Sequence, residues 1–227
     1  MKKQRVDYSG FSLTKLNDPR FAHAKLLLGW VGYFTMYFLT ENLIPVGRCH
    51  LVHCALDDLI PFCETFVIFY LLWFALVAGA LAYTFFFDVD NFRRLQIFLI
   101  ITQAGAMLVY ILWPSIQDLR PAVFPRDNLF SRILAGLYAF DTPTGVCPSL
   151  HVAYSLGILS VAWKDRALSR PVKAALSVFV LLIILSVCFV KQHSVLDVLA
   201  ALPLCLLAEI IVFGRGYWLP KLRRTPG

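Results

Sequence analysis

Seven consecutive residues, Lys191-Gln192-His193-Ser194-Val195-Leu196-Asp197, carry the densest chemistry in the chain. His193 and Asp197 are four apart, which places them on one face of a helix. A carboxylate so placed holds one imidazole nitrogen, fixes the tautomer and leaves the other nitrogen free as a nucleophile or base. A second cluster, Cys147-Pro148-Ser149-Leu150-His151, offers a hydroxyl and another imidazole, the latter suited to protonating a leaving group. A third, from Trp113 through Gln117 and Asp118 to Arg120-Pro121, ends in a guanidinium. Arg120, Lys191 and Ser149 then supply a fork, a point charge and a donor for an anion, which is what phosphoryl transfer needs.

The elements that position these clusters follow from composition. Of 227 residues, 59% are apolar and 15% charged, with a mean hydropathy of +0.70. A soluble domain averages about 45–50% apolar and about 25% charged, so intrinsic disorder and an ordinary soluble fold are both excluded. Six apolar segments are read as membrane spans, at about 24–44, 64–87, 95–113, 147–163, 172–190 and 195–213. The apolar stretch 129–140 is too brief to cross and is expected as a short packed or interfacial helix. No repeat or linker divides the chain, so residues 1–227 are expected to form one all-α domain. No signal peptide is expected, because the first apolar run is long and lacks a small-residue cleavage site.

Orientation follows from the cations. Of the 21 Lys and Arg residues, only Arg48, Arg120, Arg126, Arg132 and Lys191 fall in segments opposite the N-terminus. This bias predicts cytoplasmic termini, with the three clusters converging at the extracytoplasmic face. The net charge of +7 is thus a topological signal rather than a nucleic-acid footprint. Ionisable groups at membrane depth are costly and mark function. The expected partners are membrane lipids and a lipid phosphate, with no nucleic acid.

In their order and spacing the three clusters resemble the signature of the type 2 phosphatidic acid phosphatase superfamily. Arg120-Pro121 matches the end of its first motif and Pro148-Ser149 with His151 its second. Ser186, His193 and Asp197 match the third. The resemblance implies a six-helix bundle and a metal-independent enzyme without cofactor. In such an enzyme His193 is the nucleophile that becomes phosphohistidine, Asp197 orients it, and His151 protonates the leaving group. Arg120 and Ser149 bind the phosphate. Trp113 and Val187 stand where the family carries Lys and Arg; Lys191 and Arg126 are the nearby cations able to replace them. Leu150 replaces a Gly, and Pro-Ser-Leu-His is similar to the form in inositol phosphorylceramide synthases, which move a headgroup between lipids. Asp57-Asp58-Leu59-Ile60-Pro61-Phe62 is also reminiscent of that branch. Lipid phosphatase is the leading expectation and headgroup transfer the alternative. A non-catalytic lipid-phosphate carrier is the alternative of another class.

Cys188 and Cys205 fall within spans as packing residues. Cys49, Cys54, Cys63 and Cys147 fall outside them, where disulfides are permitted and the pairing is open. Cys49-His50 and His53-Cys54 offer zinc donors but at no specific spacing, and no metal site is expected. Glu41, near the outer end of the first span, is a candidate lining residue for the mouth of the site. Glu209, towards the inner end of the sixth, is expected to be paired or snorkelling.

Overall fold

A computed structural model describes residues 6–222. Lys2, Lys3, Arg5, Arg223 and Arg224, counted among the inner cations, lie outside the described residues. The described residues are mostly helical. A 3-10 segment (Ala22–Leu27) runs into α1 (Leu28–Leu43), followed by strand β1 (His50–Leu51) and the short α2 (Ala55–Leu59). Then come α3 (Val67–Phe87), α4 (Val89–Leu112), strand β2 (Ser115–Ile116), α5 (Leu129–Phe140), α6 (Leu150–Lys164), α7 (Arg170–Phe189) and α8 (Val195–Phe213). A π turn (Gly214–Trp218) carries α8 into α9 (Leu219–Leu222).

Four helical segments are long and apolar enough to cross a membrane: Glu64–Phe87, Val89–Leu112, Arg170–Phe189 and Val195–Lys221. The sequence reading of six spans is therefore met in part. The fourth expected span begins only at Leu150, because Pro148 precedes it and Ser149 takes the N-cap position in extended conformation. Its 15 residues reach about 22 Å at 1.5 Å per residue, short of a core about 30 Å thick. In the first, six residues wind as 3-10 helix and sixteen as α-helix. The third expected span starts earlier than residue 95, because Asp88 caps α4 by accepting the Asn91 N–H at 3.2 Å. The stretch Leu129–Phe140 is a 12-residue helix, opened by Asn128 accepting the Ser131 N–H at 3.0 Å.

Helix α4 is the axis of the bundle, packed against α1, α3, α6 and α8. Its Phe92, Leu95, Phe98, Leu99 and Ala106 are sealed in the core. Close approach depends on two glycines. A Cβ on Gly157 of α6 would lie 2.6 Å from Phe98, and one on Gly105 of α4 would lie 2.7 Å from Leu204 of α8. Such small-residue contacts suit helices whose association rests on packing rather than on expelling water. The outward faces of α7 and α8 are apolar and exposed, with Val178, Leu181, Leu199, Leu206 and Ile210 uncovered. That is the surface a hydrocarbon solvent requires.

The two ends of the bundle are tied differently. At one end the α6 terminus meets α8 through a Lys164–Glu209 ion pair, and the Lys164 ammonium lies 4.2 Å from the Phe213 ring centroid. Glu209, expected to be paired or snorkelling, is thus paired. At the other end gather the last turn of α4, the first turns of α3, α6 and α8, and the last turn of α7. Tyr110 donates to the Pro148 carbonyl at 2.7 Å, Ser149 N–H to the Asp197 carbonyl at 3.1 Å, and Cys63 N–H to the Phe189 carbonyl at 3.0 Å. This end holds all three polar clusters.

Candidate active site

The strands β1 and β2 pair in parallel, His50 opposite Ser115 and Leu51 opposite Ile116. The buried Ser115 hydroxyl then accepts the N–H groups of Val146 and Cys147 at 3.1 and 3.0 Å. Gly145, at φ +59°, makes the bend before them. These bonds deliver Ser149 to the head of α6 and His151 to its first turn. The His151 ring lies against α3, 4.1 Å from the Trp73 centroid and 4.4 Å from that of Tyr70. Its Nε2 and the Ser149 hydroxyl are buried without a hydrogen-bond partner. Buried polar groups without partners are uncommon and call for an explanation such as a ligand.

His193 enters from the α7–α8 connection. Helix α7 ends with Lys191 in the left-handed region, at φ 55°, the position usually given to glycine. A side chain there costs about 1–2 kcal/mol. Offsetting bonds hold it: the N–H groups of Gln192 and His193 both donate to the Val187 carbonyl at 3.0 Å. The turn presents His193 beside the first turn of α8. Its Nδ1 is 3.0 Å from Asp197 Oδ2, with Asp197 fully buried, and the same oxygen accepts the Ser194 N–H at 3.0 Å. A carboxylate partner on Nδ1 assigns the neutral proton there and leaves the Nε2 lone pair for chemistry. The His151 and His193 ring centroids are 5.6 Å apart in an edge-to-face arrangement. The spacing of four in sequence and the two distant imidazoles thus converge in one place.

Arg120 reaches the same region by a longer route. Its Nε donates to the Gln192 side-chain oxygen at 2.9 Å, Nη1 to the Tyr138 carbonyl at 3.1 Å and Nη2 to the Asp141 carbonyl at 2.8 Å. Its guanidinium lies 4.5 Å from the Tyr138 ring centroid. Gln192 in turn donates to Asp141 Oδ2 at 2.8 Å, which also accepts the Tyr70 hydroxyl at 3.0 Å. Burial lowers the Arg120 pKa while the Asp141 charge opposes that shift. A guanidinium has five N–H donors, and these three bonds leave two for a ligand.

Other expected site residues are engaged elsewhere. The Lys191 ammonium donates to the carbonyls of Asp57 and Ile60, each at 2.6 Å. Ser186 donates within α7 to the Ile183 carbonyl at 2.7 Å. Arg126 pairs with the buried Glu64 at 3.0 Å. Glu41 accepts from the Thr142 and Thr144 hydroxyls. The Trp113 ring stacks on His50, 5.0 Å between centroids, and Val187 is fully buried. All six cysteines are free thiols.

Three participants were given no role from sequence. Gln192 and Asp141 link Arg120 to the His193 turn, and Asp57 is buried behind that turn. Asp57 does sit at the third position of an N-terminal cap on α2, accepting the Cys54 N–H at 2.8 Å. Its main partners, however, lie more than 130 residues away, where no local spacing could reveal them. Among the described residues no group of three or more His, Cys, Asp or Glu is arranged to hold a metal. No family model, curated protein or solved structure matches the chain.

Proposed function

We propose that this chain is an integral membrane enzyme that cleaves the phosphate ester of a lipid through a phosphohistidine on His193. The observation that carries the reading is the buried His193–Asp197 pair with a second imidazole, His151, 5.6 Å away between centroids. Attack by the His193 Nε2 lone pair forms the N–P bond as the ester P–O bond breaks. His151 supplies the proton to the departing alkoxide, and Asp197 stabilises the charge that develops on the His193 ring. Ser149 and the remaining Arg120 N–H groups are the donors assigned to the phosphoryl oxygens. Water, giving a proton to the now basic His151, then attacks phosphorus as the N–P bond breaks, releasing phosphate and restoring both imidazoles.

The motif residues support a place beside the type 2 phosphatidic acid phosphatases. With that goes a six-helix arrangement in which α1 and α6 join the four long segments. Both termini are cytoplasmic and the site faces the extracytoplasmic side. One observation favours a second reading, transfer of a headgroup to an alcohol. His193 is only 8% exposed, Val187 is sealed behind it, and His151 lies against Trp73 and Tyr70. A dry pocket disfavours water and gives a bound alcohol the advantage of proximity.

The test is turnover by purified protein, wild type beside His193→Ala, over a panel of phosphorylated lipids. Candidate alcohols are supplied and products read by mass spectrometry. Phosphate release that is lost in His193→Ala is the expected result. A phosphodiester product that depends on the alcohol selects the transfer reading. Full activity in His193→Ala overturns both.

A further inference from the structure

The loop that presents His193 is gripped from behind by a segment outside all three motifs. Asp57, 2% exposed, accepts the Ser194 hydroxyl at 2.6 Å through Oδ2 and the Val195 N–H at 2.8 Å through Oδ1. Its own carbonyl, with that of Ile60, receives the Lys191 ammonium. The corner 57–60 therefore binds the chain on both sides of His193, at Lys191 before it and at Ser194 and Val195 after it. The first of these anchors the one non-glycine residue with positive φ among the described residues. The second caps the first N–H of α8, the helix that carries Asp197.

Burial alone would raise the Asp57 pKa, yet the bonds from Ser194, Val195 and Cys54 outweigh it and hold the carboxyl below its ordinary range. Two carboxylates, Asp57 and Asp197, thus flank Ser194, which donates its hydroxyl to one and its N–H to the other.

We infer that Asp57 is a positioning residue for His193: it fixes the 191–195 turn and, with Asp197, keeps the His193 imidazole in the Nδ1–H tautomer. The inference rests on the proposed role of His193 as nucleophile and goes beyond it in naming what holds that nucleophile. Around the His193 turn lie Asp197 on α8, Asp57 on α2, His151 on α6, Lys191 in the turn itself and, through Gln192, Arg120. Of these, Asp57 can be altered without touching substrate or the reacting ring.

The experiment compares wild type, Asp57→Asn and Asp57→Ala as full-length protein in detergent, by kinetics and by NMR with labelled histidine. The His193 signal is assigned by its loss in His193→Gln. Asp57→Asn is expected to lower kcat by about ten- to a hundredfold with KM unchanged, since small displacements of reacting groups have effects of that size. The Nδ1–H tautomer of His193 is expected to lose dominance, because the turn that holds the ring against Asp197 loosens. If Asp57 variants do not fold, Ser194→Ala removes the hydroxyl between the two carboxylates and is read in the same way. Wild-type kcat together with an unchanged His193 tautomer overturns the inference. A wild-type protein that turns over no phosphorylated lipid defeats the proposed function instead, and the NMR comparison still decides the role of Asp57.

Discussion

Replacing Asp197 by Asn removes one charge and reverses one hydrogen-bonding role at a fully buried position. The carboxylate accepts two bonds at 3.0 Å, from His193 Nδ1–H and from Ser194 N–H. A bond to a charged acceptor contributes about 1.5–3 kcal/mol and a neutral one about 0.5–1.5. The Ser194 bond is unchanged during the reaction and its weakening costs stability; the bond from the developing imidazolium is charge-assisted on both sides, and losing the carboxylate charge there costs roughly 2–3 kcal/mol in that step. At 1.36 kcal/mol per decade this is about thirty- to a hundred-and-sixtyfold in rate. The tautomer adds to it. Since Oδ2 accepts both bonds, an amide oxygen in its place keeps both; with the amide turned over, its NH2 faces Nδ1 and the Ser194 N–H, and the ring must carry its proton on Nε2, the atom required to attack. In the serine-protease triad the same substitution lowers kcat about 10⁴-fold. The expected loss of kcat in Asp197→Asn is thus between about 10² and 10⁴. It is measured as phosphate release from a lipid phosphate in detergent, beside trapping of a phosphoenzyme. A folded Asp197→Asn protein within about threefold of wild type, less than half a decade, would refute the assignment of the bond to catalysis.

Three other outcomes are expected. Turnover survives EDTA, since the charge on the phosphoryl group is assigned to Arg120 and hydroxyl or backbone donors; a divalent requirement restored by dose contradicts this. Gly157→Ala, whose Cβ would sit 2.6 Å from Phe98 in the core, costs about 1–3 kcal/mol of stability by overpacking. Gly79→Ala, with nothing within 4 Å, is neutral or stabilising, and thermal unfolding in detergent compares the two. His53 bridges Asp58 and Asp118, both at 2.9 Å, and these bonds raise its pKa above the ordinary value. Its contribution is therefore complete below about pH 6.5 and is lost as pH rises through the raised folded value. The unfolding temperature of His53→Gln should fall below that of wild type in acid and converge with it in base. A gap that widens with pH contradicts the assigned bonds.

Sequence alone determined the class of this protein, because hydrocarbon solvent imposes apolar segments whose length and composition survive any change in packing. The span at 64–87, the short helix at 129–140 and the α7 and α8 segments were legible for that reason. So was the His193–Asp197 pair, since a separation of four is local, although His193 precedes α8 and meets Asp197 across the helix cap rather than along one helix face. Helix boundaries set by proline and caps, at Leu150 and Asp88, shifted two spans because a single cap bond outweighs average hydropathy. Tertiary structure alone decided which cations are spoken for. Lys191 looked like a phosphate ligand by its nearness to His193, yet a left-handed backbone turns its ammonium onto the carbonyls of Asp57 and Ile60. Asp57 itself was only one half of an Asp-Asp pair in a loop. Its importance comes from bonds to Ser194 and Val195 across more than 130 residues of sequence, a distance at which spacing carries no information and only the packed fold brings the groups together.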